Sequence, residues 1–331
     1  MTTIVDIADL DCIFLTYNEP KKEEYWVKIQ NMIPWAVRVD GVHGSDAAHK
    51  AAADASTTDR FILIDGDNIP DADFFNEQLT LDNRNENKVF RWKARNHING
   101  LMYGNGGISC WTKEFVYNMK THEASDGSDD TSVEFCFDPD YWAMHDCFST
   151  TYPNQTAEQA WRAGFREGVK MCLNKGTKPS LEEFEQNVVT RNYDNLCIWM
   201  SIGADVENGD HARAGAMLGT YLTMLGDFNR FKDFNYRDVQ DFNKLEALWT
   251  KYENYASEIS TEQYGTVISA SNGSFIAISK LSETLRQRLG LGITSFSPEA
   301  SAFFKNHINK QFHNKGIMVS EMDVIRNREG W

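Results

Sequence analysis

Apolar and polar positions follow one rhythm in the first half of this chain and another in the second. Phe61-Ile62-Leu63-Ile64 is apolar at every position, as expected of a strand buried on both faces. Cys12-Ile13-Phe14-Leu15-Thr16 reads the same way, and Val37-Arg38-Val39-Asp40 gives a shorter strand that stops at Gly41. Between the first two, Tyr25, Trp26, Ile29, Met32 and Ile33 recur at helical spacing behind Asn18-Glu19-Pro20, where Pro20 suits a first turn. Ser45 stands where it would cap an alanine-rich helix running to about Ser56. This β-α-β-α-β succession predicts an α/β fold with a mostly parallel sheet flanked by helices.

Further along, Val89–Arg95 alternates, with Arg91, Lys93 and Arg95 on one face and Phe90, Trp92 and Ala94 on the other. Leu101 to Gly107 is a glycine-rich loop, and residues 121–132 read as a polar loop. Thr156-Ala157-Glu158-Gln159 is a capping box opening a helix to about Leu173, and Ser180-Leu181-Glu182-Glu183 is another. From about residue 180 the pattern is mainly helical, with a hairpin expected at Val267–Ile278 around Asn272-Gly273. A last helix is expected from Ser297-Pro298 to Gly316. The expected division is a catalytic domain over 1–175 and a mainly helical acceptor-side region over 176–331.

Charge changes this picture. Residues 1–160 carry net −14 of the chain's −15, so the acidic excess lies in the strand-rich half. That sign favours cations and disfavours nonspecific attraction to polyanions. Within this half, the stretch from Asn87 to Lys113 has no acidic residue. The six cysteines are scattered without a CxxC pair, which points to reduced thiols rather than a zinc knuckle or a disulfide framework. No apolar run reaches membrane-spanning length and no signal-peptide pattern opens the chain, so a soluble, cytoplasmic protein without a membrane partner is expected.

The candidate chemistry sits where the strands end. The run 61–64 stops at Asp65-Gly66-Asp67-Asn68, two carboxylates around a glycine. Such a pair offers hard oxygen ligands to Mg²⁺ or Mn²⁺, and such an ion can hold a diphosphate and neutralise charge as a phosphate leaves. The alternative is a strand end closed by solvated turn residues. In parallel sheets ligands gather beyond the carboxyl ends of the strands, and Thr16-Tyr17-Asn18, Asp40 and Asp65-Gly66-Asp67 all fall on that edge. Thr16, Tyr17 and Asn18 would line a base and ribose pocket, Asp40 would accept from the base, and Asp65 would serve ribose and metal. Asp40 also reads as a turn carboxylate before Gly41, and Glu19 as a first-turn acid favoured by the helix dipole.

Together, Ile13-Phe14-Leu15-Thr16-Tyr17-Asn18-Glu19-Pro20, Val39-Asp40-Gly41 and Phe61-Ile62-Leu63-Ile64-Asp65-Gly66-Asp67-Asn68 resemble the family-2-type glycosyltransferases of the GT-A fold. The match in order and spacing covers roughly the first 110 residues. It implies a Rossmann-like GT-A domain in which the first block contacts the nucleotide, Asp40 reads the base and Asp65 and Asp67 bind Mn²⁺ or Mg²⁺. The donor implied is a nucleotide sugar, a UDP-sugar first.

In that family a glycine-rich loop lines the acceptor side, which Tyr103-Gly104-Asn105-Gly106-Gly107 resembles, and a later acid supplies the base in inverting members. Asp146 is the expected base, with Asp138 and Asp140 as other candidates and His145 as a third metal ligand. The alternative for residues 137–146 is a polar loop. Gln159-Ala160-Trp161-Arg162 resembles part of a motif of processive members, but Ala163 stands where a tryptophan follows.

Asn195–Gly209 with Ala212–Ala216 resembles a segment of phage-encoded GT-A-type transferases that decorate hydroxymethylated pyrimidines in DNA. A helix–turn–helix packed through small residues explains the same segment. On the phage resemblance the favoured acceptor is a 5-hydroxymethylpyrimidine in bacteriophage DNA, inside an infected host cell. Arg91, Lys93, Arg95, Asn105 and Gly106 would then meet the acceptor, with a second basic surface on the final helix. The other acceptors are a glycan, a lipopolysaccharide or a protein, which the acidic charge suits better. A non-catalytic nucleotide-binding or virion protein is the reading from another class. A nucleotidyltransferase would show a glycine-rich, basic phosphate loop, and residues 1–20 hold neither glycine nor arginine.

Overall fold

A computed structural model describes residues 2–103, 107–119, 141–174, 176–188, 190–226, 228–264 and 270–313. The chain folds as two units, one taking residues 1–97 and 102–152, the other 98–101 and most of the chain from Pro153 on. The division expected after residue 175 therefore falls inside the second unit, whose first helix begins at Ala157.

The first unit contains strands β1 (Thr3–Asp6), β2 (Asp11–Thr16), β3 (Val37–Asp40), β4 (Arg60–Asp65), β5 (Asn68–Pro70), β6 (Gln78–Leu81), β7 (Val89–Asn96), β8 (Ile108–Thr112) and β9 (Tyr141–Thr151). Its helices are α1 (Lys22–Met32), α2 (Ser45–Ala55) and α3 (Lys113–Asn118). Seven strands form one sheet in the order β3-β2-β4-β8-β7-β9-β5, and β1 pairs with β6 in a small antiparallel ribbon.

The α/β class holds, but the sheet is mixed rather than mostly parallel. β3/β2, β2/β4 and β7/β9 run parallel, while β4/β8, β8/β7 and β9/β5 run antiparallel. The parallel order read from the first three strands ends at β4, whose other neighbour β8 runs antiparallel to it and in turn pairs antiparallel with β7.

Each face of the sheet has its own core. Phe14, Ile62, Ile64, Phe90 and Ile108 pack with Tyr25 and Ile29 of α1 and with Phe74. Ile13, Phe61, Leu63, Val89 and Trp111 pack with Ala52 and Ala53 of α2 and with Val116 of α3. β2 thus lies between the two strands that follow it, and the crossovers through α1 and α2 cover opposite faces. That is a topological switch point, with a crevice expected outside the carboxyl ends of β2 and β4.

The second unit is helical: α4 (Ala157–Lys170), α5 (Phe184–Asn187), α6 (Thr190–Ser201), α7 (Gly209–Met224), α8 (Phe242–Tyr264), α9 (Ala270–Leu289) and α10 (Pro298–His313). α7 is buried on nearly all sides. It lies against α4 backbone to backbone. A Cβ at Gly164 or Gly168 would meet the carbonyl of Ala212 at 1.9 Å or of Ala216 at 2.3 Å, and one at Gly215 would meet the Trp161 carbonyl at 2.1 Å. Only glycine permits that approach. The expected packing role for small residues in 195–216 is therefore present in the fold.

Four local expectations change. Asn272-Gly273 lies inside α9 rather than in a hairpin, because Ile278, Leu281, Leu285 and Leu289 bury a helical stripe that carries the turn-forming pair with it. Gly44, at φ 92°, is the N-cap of α2, and Ser45 is its first helical residue. α1 starts two residues after Pro20. Residues 141–146, for which a polar loop is the alternative reading, belong to β9, which is continuous with the aromatic and hydroxyl-bearing run ending at Thr151. The loop at 121–132 and Gly316 lie outside the described residues.

Candidate functional site

The carboxyl ends of β2 and β4 collect charged side chains. Asp65 ends β4 with its carboxyl open to solvent, yet enough protein rings it that burial raises its pKa above the ordinary carboxylate value. Glu19 adds to that rise, whereas His49 and Arg91 oppose it. An accessible carboxyl with a raised pKa, within electrostatic reach of His49, Arg91 and Glu19, is a functional-site candidate.

Glu19 is more than a first-turn acid. Its Oε2 accepts the Tyr17 N–H at 2.7 Å, and its carboxylate rests on Gly66, where a Cβ would lie 2.8 Å from it. Three carboxylates, Glu19, Asp65 and Asp67, therefore border one bend. Asp67 faces other company: its carbonyl accepts from the Tyr152 N–H at 2.8 Å, and its charge contributes to the raised pKa of Tyr25, which burial dominates.

Thr16 and Asp40 are joined at the ends of adjacent strands. The buried Thr16 hydroxyl donates to Asp40 Oδ1 at 2.7 Å and accepts from Arg38 Nε at 3.0 Å. Lys22 Nζ donates to both Asp40 oxygens and to the Tyr17 carbonyl. The Lys22 hydrogen bond, with help from Thr16 and Arg38 and against burial, holds the Asp40 carboxyl below its usual range. Thr16 thus braces Asp40 through both roles of its hydroxyl. Tyr17 and Asn18 are exposed at the same edge, and Tyr17 meets His43 edge to face, with centroids 6.0 Å apart.

His49 and Arg91 act on the Asp65 carboxyl. His49 Nδ1 donates to the Ser45 carbonyl at 2.7 Å, because a carbonyl can only accept, and its ring packs on Trp111. Arg91, expected on an acceptor face with Lys93 and Arg95, is half-buried, with its guanidinium 5.0 Å over the Tyr141 ring. Its buried Nε has no hydrogen-bond partner among the described residues. Arg95 is exposed, so the three share a face of β7 without sharing an environment. Asn68, fully buried just past the bend, likewise leaves both amide atoms unpaired among the described residues. It lies against Gly107, where a Cβ would be 2.7 Å from its Nδ2. Buried orphans of this kind call for a ligand or water.

His145 does not join the carboxylates. It is exposed on β9, and among the described residues no group of three His, Cys, Asp or Glu side chains places it with Asp65 and Asp67. The third-ligand role expected of His145 finds no support there. Asp146, the expected base, is the next residue on β9 and is also exposed. Asn105, Gly106, Asp138 and Asp140 lie outside the described residues.

Among the described residues no three His, Cys, Asp or Glu side chains are grouped to hold a metal ion. The residue types that border the bend, Glu19, Asp65 and Asp67, are nevertheless hard oxygen donors of the kind that suits Mg²⁺ or Mn²⁺. Mg²⁺ is usually held by one or two carboxylates with water and substrate phosphate rather than by an all-protein cage.

In the second unit, Gln159 belongs to the start of α4: its N–H donates to Thr156 Oγ1, and its Oε1 accepts from the Gln155 N–H. Asn208 adopts a left-handed conformation before α7, and Asp210 pairs with Arg213. Lys305, read as part of a basic surface, is ion-paired with Asp205 at 2.6 Å and only 15% exposed. Phe303, on α10, is exposed. No described helix is long and apolar enough to cross a membrane. Comparison with protein-family models, curated protein sequences and solved structures gives no match for this chain.

Proposed function

We propose that this chain is a metal-dependent glycosyltransferase of GT-A type, moving a sugar from a nucleotide-sugar donor to a hydroxyl acceptor. The observation that carries the reading is the convergence of Tyr17, Glu19, Asp40 and Asp65 on one switch-point edge, in the order and spacing of the sequence blocks that suggested it. Tyr17 and His43 offer aromatic surface to a base, and Asp40, braced by Lys22, offers an acceptor oxygen. Asp65 and Asp67 would hold Mg²⁺ or Mn²⁺, with Glu19 beside them. That ion would supply charge neutralisation at the departing diphosphate. Arg91, with its unpaired Nε close enough to influence Asp65, would add a fixed positive charge for the same phosphates. Asp146 is the proposed base toward the acceptor hydroxyl.

The first acceptor to test is a 5-hydroxymethylpyrimidine in DNA, which rests on the 195–216 sequence alone. The burial of Arg91 and the pairing of Lys305 remove two charges from the surfaces expected to meet a duplex. These contacts, with the net charge of −15, favour a glycan, lipopolysaccharide or protein hydroxyl as the second reading. The discriminating experiment incubates the protein with UDP- and GDP-sugars, Mn²⁺, and either hydroxymethylated DNA or glycan acceptors. Mass spectrometry of the digested products should show one hexose or pentose added to a hydroxyl. Donor turnover absent across the whole panel would refute the glycosyltransferase reading.

A further inference from the structure

A second recess lies wholly within the helical unit, between α7, α9 and the segment after α9. It is partly open to solvent and has a volume of about 120 Å³. Its wall is chemically one-sided: two arginines, Arg213 and Arg286, and three serines, with no acidic residue, while Met217, Ile278 and Ile293 supply the apolar part.

The arginines are held by the fold. Arg213 is 98% buried on α7, with Nε donating to the Met200 carbonyl at 3.2 Å and Nη1 to Asp210 Oδ1 at 2.9 Å. Its Nη2 has no partner among the described residues. Arg286 is fixed by Nη1 donating to the Ile293 carbonyl at 3.1 Å and Nη2 to Ser282 Oγ at 3.4 Å. The Ser282 hydroxyl donates in turn to the Ser279 carbonyl at 3.0 Å. Ser295, on the exposed rim, adds a hydroxyl without a partner among the described residues.

Asp210 answers one Nη of the buried Arg213 and leaves the other Nη without an acceptor among the described residues. Pre-oriented guanidinium groups flanked by hydroxyls match the geometry of a phosphate oxygen set. We propose that this recess binds a small phosphomonoester, its phosphate between Arg213, Arg286 and Ser295 and a compact apolar group against Met217, Ile278 and Ile293. The burial of Arg213 favours a small molecule over a duplex backbone. The site is separate from the nucleotide edge of the first unit and stands whether or not that reading holds.

The test is calorimetric titration of the full chain with inorganic phosphate and with phenyl phosphate. Arg213 is buried whereas Arg286 and Ser295 are exposed, so the informative variants are Arg286→Gln and Ser295→Glu on the rim, with unchanged circular dichroism as a fold control. The expected result is saturable binding of both probes, with phenyl phosphate about tenfold tighter. Each rim variant should weaken both by roughly tenfold or more, and Asp65→Asn should leave them unchanged. Absence of saturable binding would overturn the proposal, as would binding lost in Asp65→Asn but intact in both rim variants. Binding of a duplex oligonucleotide without binding of either probe would overturn it in favour of a backbone contact.

Discussion

The carboxylate of Glu19 lies on Gly66, so close that a single methyl group there would stand 2.8 Å from it. This contact ties the end of β2 to the bend after β4 and brings a third acid to the two that flank the glycine. Gly66→Ala should push Glu19 off the Tyr17 N–H and cost about 1 kcal/mol, the net worth of that hydrogen bond. Adding the methyl to a Glu19→Ala background should cost less. Urea unfolding of the two single variants and the double variant measures the coupling, and strictly additive values would contradict the contact.

Asp65 is poised against its own ionisation. Its folded pKa is raised, first by burial and then by Glu19, with His49 and Arg91 opposing. Charging it therefore costs stability as pH rises from the unfolded carboxylate value of about 3.9 through the folded one. Asp65→Asn should melt higher than the parent protein at pH 7 and equally at about pH 3, where both side chains are neutral. A variant that melts lower at pH 7 would show that the carboxylate is structural.

Asp40 carries the opposite sign. Lys22, Thr16 and Arg38 depress its pKa, so its contribution is present above about pH 4 and lost as pH falls through the depressed folded value. Because 38% of the side chain is open to water, Asp40→Asn should cost no more than about 1 kcal/mol at pH 7. The gap should close in acid. A gap independent of pH would point to packing rather than charge.

The helical unit depends on the α4–α7 approach. A Cβ at Gly168 would sit 2.3 Å from the Ala216 carbonyl. Backbone cannot rotate away as a side chain can, so Gly168→Ala should destabilise the protein by about 3 kcal/mol or more. Thermal unfolding reads this directly, and a loss below about 1 kcal/mol would mean that the helices stand further apart.

Strands such as Phe61–Ile64 were legible in the sequence because burial on both faces leaves an unbroken apolar run, and the edge on which Asp40 and Asp65 fall follows from chain direction alone. The antiparallel half of the sheet was not legible, since nothing in Val89–Arg95 records which neighbour it pairs with or in which direction. β9 hid behind the polar pair His145-Asp146. Asn272-Gly273 misled because local turn propensity is weaker than the buried stripe of α9. At the site, the two acids announced themselves by spacing. His43, His49 and Lys22 did not, because only the crossovers through α1 and α2 bring them to the ends of β2 and β4. The contact of Glu19 with Gly66 joins residues 47 positions apart and has no local signature.

The central claim is that carboxylates at the bend after β4 hold a divalent ion against the diphosphate of a sugar nucleotide. Calorimetric titration of UDP or GDP into the protein, with Mn²⁺ and with excess chelator, tests it most directly. The account predicts saturable binding that requires Mn²⁺ and is lost in Asp65→Asn and Asp67→Asn, both still folded. Nucleotide binding that is equally tight without the ion, or unchanged in both variants, would contradict it.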